Sequence, residues 1–338
     1  MATGSRKIDS HRRHLIGIAA VTTAATELGI LSPLVGLTSS APGYAQVPSD
    51  QERKVDIGFL EIDNVITLRR MLVRHPSPKG TALFLHGFPE TLYAWKDISL
   101  ALADDYEVHA FDWPGYGLSS RPDVSRFSYA PKDYARVLDD YIAKAGIDKS
   151  KLTIYATDIG ALPVLLLALK KPDLAKSIIV GDFAPFDRPA YMYESLQKLK
   201  AGPSMEQARA ILNKNRDEIL QNTFTRGLPE EAKFEISREF KDDMAIGWSQ
   251  GAITTADAFS HYYSHFTRDQ EYFESQVDLL KIPVKVVWGE KDLYIKKEMG
   301  IEFAARINAE FTLLTGIGHY FHLQDPKQVI EEIRASFR

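Results

Sequence analysis

The 338-residue sequence contains no cysteine. That excludes disulfides, thiolate metal sites and a cysteine nucleophile, although it does not fix the compartment. Positive charge is not in excess: 41 Lys and Arg against 45 Asp and Glu leave a net charge of -4. Such a balance gives no electrostatic basis for a nucleic acid partner or an anionic membrane. Repeats and low-complexity linkers are missing as well. His261 and His265 are four residues apart, but no third ligand accompanies them, so no metal and no cofactor is expected. The glycine-rich stretch Asp112-Trp113-Pro114-Gly115-Tyr116-Gly117-Leu118-Ser119 lacks the trailing Gly-Lys-Ser/Thr of a phosphate loop and reads as a structural turn. Apolar residues are plentiful. A hydrophobic content of 45% is ample for a core in one large or two modest domains.

The first 45 residues stand apart. Arg6, Lys7, Arg12 and Arg13 form a basic head, and Leu15 to Leu37 is apolar and rich in small residues. Gly43-Tyr44-Ala45 then offers a small-x-small cleavage site before Gln46. Arg12-Arg13 followed by Leu15 resembles a twin-arginine signal. Residues 1–45 are therefore expected to be an export signal, removed in the mature protein, which places the chain in the periplasm with no membrane anchor after processing. A retained anchor is the alternative reading.

Beyond it, short apolar runs alternate with helical patterns. Val55 to Ile62 and Ile66 to Arg74 predict a hairpin around Asp63-Asn64. Thr81 to Leu85, Tyr106 to Phe111, Leu152 to Thr157, Ala175 to Asp182, Pro283 to Gly289 and Phe311 to Leu314 predict further strands. Helices are expected over Thr91 to Ala103, Pro131 to Ala145, Leu162 to Lys170, Lys296 to Ile307 and Pro326 to Phe337. The alternation implies an α/β fold with a mostly parallel sheet covered by helices. Residues 187–275 break it, with helical patterns only, such as Met205 to Leu220 and Glu230 to Phe240. This stretch is expected to form a helical cap over the carboxyl ends of the strands, where open α/β sheets bind ligands.

The stretch Leu152 to Ala161 carries the chemistry. A buried strand turns sharply at Asp158 and runs into an apolar helix, with the small residues Ala156 and Gly160 two places to either side. This is the pattern of a nucleophile elbow, with a carboxylate where a serine usually stands. His86-Gly87-Phe88-Pro89-Glu90 follows the first buried strand, so the Phe88 N–H can join the Ile159 N–H as an oxyanion hole. Asp292, in Gly289-Glu290-Lys291-Asp292, and His319, in Gly316-Ile317-Gly318-His319, each follow a later strand. Asp158, Asp292 and His319 stand in the chain order nucleophile, acid and base. Singly, each has an ordinary explanation as a helix cap, turn residue or surface histidine. Their joint placement is what carries the functional reading.

From about Val55 onward the chain resembles the epoxide hydrolase and haloalkane dehalogenase branch of the α/β-hydrolases. The resemblance rests on His86-Gly87-Phe88-Pro89, Asp112 to Gly117, Asp158-Ile159-Gly160, Gly289 to Asp292 and Gly318-His319. With Asp-Ile-Gly at the elbow and an export signal, it is similar to a secreted bacterial epoxide hydrolase. The resemblance implies an α/β-hydrolase core over 46–186 and 276–338, with the cap of 187–275 inserted after the sixth strand. It also implies a covalent alkyl ester on Asp158, hydrolysed to a vicinal diol by a water that His319 activates. Ala258-Phe259-Ser260-His261-Tyr262-Tyr263 resembles the cap segment that supplies a ring-opening tyrosine, which makes Tyr263 the acid; Ser264 replaces the arginine that usually follows. Tyr191 and Tyr193 are expected as the second cap acid by position alone. Dehalogenases of this branch carry a tryptophan after the nucleophile for the departing halide, where this chain has Ile159. Dehalogenation, or ester and lactone hydrolysis on the same scaffold, is thus the alternative. Trp113, Tyr191, Trp248, Phe259 and Tyr262 are expected to line a site for a small apolar substrate. A homodimer is left open.

Overall fold

The Asp63 carboxylate accepts hydrogen bonds from the amides of Val65 and Ile66, both at 2.8 Å, and so closes the hairpin between β1 (Asp56–Glu61) and β2 (Thr67–Val73). The computed structural model describes residues 54–200 and 202–338. The proposed export signal, residues 1–45, lies outside them.

After the hairpin, β3 (Thr81–Leu85) and a short 3-10 turn (Leu92–Trp95) lead into α1 (Lys96–Leu102), then β4 (Glu107–Phe111) and α2 (Pro131–Lys144). Next come β5 (Leu152–Thr157), α3 (Ala161–Lys170) and β6 (Ser177–Gly181). Between β6 and β7 (Val284–Gly289) the described elements are helical: α4 (Glu194–Lys200), α5 (Gly202–Lys214), α6 (Arg216–Asn222), α7 (Arg238–Trp248) and α8 (Thr255–Gln276), with short 3-10 turns. The chain closes with α9 (Lys297–Ile307), β8 (Glu310–Leu314), α10 (Phe321–Gln324) and α11 (Pro326–Ser336). The strands form one eight-stranded sheet in the order β1-β2-β4-β3-β5-β6-β7-β8. β2 pairs antiparallel with both its neighbours, and every pairing from β4 through β8 is parallel. This is the α/β-hydrolase fold.

Every residue of β3 and β5 is buried, as for parallel strands covered on both faces. α3 is buried along nearly its whole length, which explains why its sequence is apolar all round rather than striped. Among the described residues, no helix is long and apolar enough to cross a membrane.

Two expected cap helices are divided. The pattern of Met205 to Leu220 spans α5 and α6, which break at Asn215. Glu230 to Phe240 is not one helix: a single turn over Glu230–Ala232 is followed by extended chain. Ser237 then caps α7 by accepting a bond from the Phe240 amide at 3.2 Å. A serine able to bond the backbone ahead of it starts a new helix better than it continues an old one. The helical stretch and the sheet form one compact unit. Arg69 of β2 helps hold them together, with its guanidinium between Asp112 at 2.5 Å and a two-point pair with Asp243 of α7, both contacts at 2.7 Å.

Candidate active site

β5 ends at Thr157, and the next residue, Asp158, has a φ of 48° before the chain enters α3. A non-glycine residue is seldom found in this left-handed region. The turn lifts the Asp158 carboxylate off the sheet toward the cap. It also requires a close approach of neighbouring chain. A Cβ on Gly160 would lie 3.0 Å from the Leu85 carbonyl oxygen, and one on Gly87 would lie 2.6 Å from the Asp158 Cβ. The glycines at these two positions let the elbow and the His86–Glu90 loop meet.

They meet through a hydrogen bond. The Phe88 N–H donates to Asp158 Oδ2 at 2.9 Å. Ile159 follows Asp158 within the same 3-10 turn, with its side chain buried. At the end of β7 the chain turns so that Asp292 Oδ1 accepts the amides of Tyr294 (2.8 Å) and Ile295 (3.0 Å). Its Oδ2 accepts from His319 Nδ1 at 2.8 Å, which leaves His319 Nε2 3.8 Å from Asp158 Oδ2. Asp158 thus joins Asp292 and His319, each more than a hundred positions away in sequence, in a carboxylate–imidazole–carboxylate row. Burial by itself depresses the His319 pKa, but the adjacent Asp292 and Asp158 carboxylates outweigh it and hold the imidazole well above its ordinary value.

A cavity of about 420 Å³ opens above this row. Phe88, Asp158, Tyr294, His319 and Tyr320 form its floor, and its walls come from α4, α5, α6 and α8. The walls are mostly aliphatic, for example Leu199, Ile211, Leu212 and Ile219, with Lys198 and Arg226 as their cations. Tyr263 lines the cavity together with Asp158. Its phenol is pushed well up from its ordinary pKa by burial and then by the Asp158 charge, so it stands as a protonated donor.

Of the residues expected to line the site, Phe259 does so, stacked on Phe88 with ring centroids 4.1 Å apart. The other four stand outside the lining. Trp113 spends its indole N–H on the His86 carbonyl at 3.1 Å. The Tyr262 hydroxyl donates to the Ile159 carbonyl at 3.1 Å. Trp248 is buried behind Phe88, with ring centroids 5.9 Å apart. Tyr191 accepts the Lys296 amide on its carbonyl at 2.8 Å, while the Tyr193 amide donates to the Tyr294 carbonyl at 2.7 Å. These bonds pin the segment to the core rim, so neither tyrosine lines the cavity; Ser195 and Leu196 do. The glycine-rich turn is held by Asp112, which accepts the Leu92 amide at 2.7 Å and the Leu118 amide at 3.1 Å.

One carboxylate escaped the sequence reading. Asp182 follows β6 directly, is fully buried, and has a φ of 49°, matching Asp158. Its Oδ1 accepts the Gly289 amide at 3.0 Å, and its Oδ2 has no partner. Burial and then the Asp292 charge hold its pKa well above the ordinary carboxyl range, which favours its protonated form. The signal was present, since Asp182 closes a predicted core strand just as Asp158 does. Asp182, Asp292 and His319 each place a ligand atom within 4.8 Å of the others, a spacing compatible with a metal ion. The Nδ1 of His319 is committed to Asp292 Oδ2 at 2.8 Å, too close for an ion between them, and a neutral Asp182 is a poor ligand. The cluster is a poor fit to a metal centre.

Comparison with known proteins agrees with this architecture. Residues 82–332 match the profile of the alpha/beta hydrolase family. Epoxide hydrolase 1 of Caenorhabditis elegans is 23% identical over 265 residues, covering 76% of this chain and 64% of that protein. Haloalkane dehalogenase 2 of Mycobacterium bovis is 29% identical over 146 residues, covering 42% of this chain and 48% of that one. The chain therefore spans less than two thirds of the length of either relative. The crystal structure of Cfl2 from Burkholderia cenocepacia superposes with a TM-score of 0.69 at 20% identity, covering 83% of this chain and 95% of that one.

Proposed function

The chain belongs to the alpha/beta hydrolase family, and from that premise we propose that it opens epoxides by attack of Asp158. The observation that carries this reading is the elbow carboxylate itself. Asp158 shares a mostly apolar cavity with Tyr263 and is hydrogen-bonded by the Phe88 amide at 2.9 Å.

A carboxylate is ionised at neutral pH and needs no base to act as a nucleophile. Phe88 N–H engages Oδ2, which leaves Oδ1 to attack an epoxide carbon. The C–O bond breaks as the ester C–O bond forms, and the departing alkoxide takes the Tyr263 phenolic proton. Alkylation also removes the Asp158 charge, one of the two that raise the His319 pKa, so the imidazole gives its resting proton to solvent and becomes a base; it regains that proton from solvent when the Asp158 carboxylate is restored. His319 then takes a proton from water. The resulting hydroxide attacks the ester carbonyl carbon, and the tetrahedral oxyanion is received by the Phe88 and Ile159 amides. Collapse releases a vicinal diol, and the proton on His319 returns to the Tyr263 phenolate. The net change is the addition of one water.

The apolar walls suit a small apolar epoxide. Among the described residues no tryptophan lines the cavity, so a halide would lack the indole donor that dehalogenases of the resembling branch use. The test is the intact mass of His319→Ala after exposure to mixed epoxides and haloalkanes. Without the base the ester accumulates, and a gain equal to a whole epoxide is expected. A gain equal to a haloalkane less its hydrogen halide, or no adduct on folded protein, overturns the reading.

A further inference from the structure

The backbone groups of Gly87 and Phe88 are committed one by one. The Gly87 N–H donates to Glu90 Oε2 at 2.7 Å. The Gly87 carbonyl accepts from His86 Nδ1 at 2.8 Å and from the Glu90 N–H at 3.2 Å. His86 can donate there because its Nε2 accepts the Trp113 amide at 3.2 Å. The Phe88 carbonyl accepts the Tyr320 hydroxyl at 2.8 Å. The remaining group, Phe88 N–H, is the one aimed at Asp158.

Planarity makes these contacts directional. The Gly87 carbonyl and the Phe88 N–H belong to one rigid peptide plane and point opposite ways. Holding the carbonyl therefore aims the N–H. Tyr320 fixes the next plane and Glu90 the preceding one, so the Phe88 amide cannot swing without breaking bonds to buried partners. Glu90 is itself fully buried and is held by His322 Nε2 at 2.6 Å, with the His322 ring stacked on Trp95 at 4.5 Å. Tyr320 and His322 lie one and three residues beyond His319.

We propose that Tyr320 and the His322–Glu90 pair are positioning residues, which hold the Phe88 amide on Asp158 and tie it to the segment that carries the base. The proposal rests on the covalent reading above, because an oxyanion donor serves ester hydrolysis more than alkylation. Losing one oxyanion donor outright costs about 10²- to 10³-fold in turnover. A donor merely released from its restraint should cost less.

The test is rapid-quench intact-mass kinetics on Tyr320→Phe, which keeps the ring beside His319 and removes only the hydroxyl. Hydrolysis of the Asp158 ester is expected to slow about 10- to 100-fold while alkylation changes by less than about threefold, so the esterified fraction at steady state rises. Glu90→Gln, which keeps shape and removes charge, should shift the balance the same way. A loss of general packing slows both steps alike, and that result overturns the proposal. A second readout needs no turnover: the Phe88 amide proton resonance should move upfield in Tyr320→Phe as its bond to Asp158 loosens. An unmoved resonance overturns the proposal even where His319→Ala gains no adduct, the outcome that instead removes the covalent reading.

Discussion

The strand-end loops and the helical insertion build the cavity by different means. Asp158, Asp182 and Asp292 stand directly at or just past the ends of β5, β6 and β7, and backbone amides hold each: Phe88 for Asp158, Gly289 for Asp182, Tyr294 and Ile295 for Asp292. Their positions follow from sheet register and local turns. The insertion contributes side chains whose placement depends on how helices pack on one another and on the sheet. Tyr263 faces Asp158 while its neighbour Tyr262 turns to the Ile159 carbonyl, a difference of one position along α8. Backbone-held groups have little freedom to be elsewhere. Side-chain walls can be repacked, so on the proposed reading the strand-end loops carry the chemistry and the helical insertion sets what reaches it.

That division can be tested from its strongest point. Asp158→Asn removes the proposed nucleophile and should lower kcat/KM on an epoxide by at least about 10⁴-fold. The same variant removes one of the two carboxylates that raise the His319 pKa. The His319 ring resonance should therefore titrate at lower pH than in the parent chain; an unchanged midpoint would show that Asp292 alone sets it.

On the cap side, Tyr263→Phe should slow ring opening by about 10³-fold, the scale of general acid catalysis. Ester breakdown should stay near the parent rate. Equal losses in both steps would mean that the tyrosine only shapes the wall.

Trp248→Ala separates packing from catalysis. The side chain is buried outside the cavity, so truncation should cost about 3 kcal/mol of stability in denaturant unfolding. Residual folded protein should keep its KM, and a large KM change would place Trp248 in the substrate's path.

The smallest effect is expected at Asp182. Its folded-state pKa is raised above the unfolded value by burial and by Asp292. It therefore costs nothing below the unfolded pKa, and its cost grows as pH rises from there through the folded pKa. Asp182→Asn should raise Tm by about 2–4 °C at pH 7 and progressively less toward acid. Because a neutral side chain replaces a neutral one, turnover should stay within a few fold. A loss as large as that of Asp292→Asn would mean that Asp182 is the ionised partner of His319.

Hydrophobic runs of five or six residues bounded by glycine and polar turns are too short for helices and read as buried strands, so sheet, elbow and the order of Asp158, Asp292 and His319 were legible without coordinates. Asp158 directly follows β5, and Asp292 and His319 lie three and five residues past β7 and β8, which leaves local sequence little ambiguity. Ser237 shows where legibility fails: the pattern from Glu230 to Phe240 suits a helix, but the capping oxygen starts α7 later. Trp113, Trp248 and Tyr262 show it again. Their size and apolar character forecast burial, and burial is what they have, but the wall each one faces was set by packing.

The sequence by itself determined the fold, the strand-end carboxylates and histidine, and the glycines that let the loops meet, because these depend on local propensity and register. Only the tertiary structure decided that Asp182 lies beside the His319–Asp292 pair, that Tyr191 and Tyr193 stand outside the cavity Tyr263 shares with Asp158, and that Tyr320 and Glu90 contact the Phe88 loop. Those contacts join residues as many as 232 positions apart, and pairing at that distance is fixed by three-dimensional packing, which periodicity along a single chain does not encode.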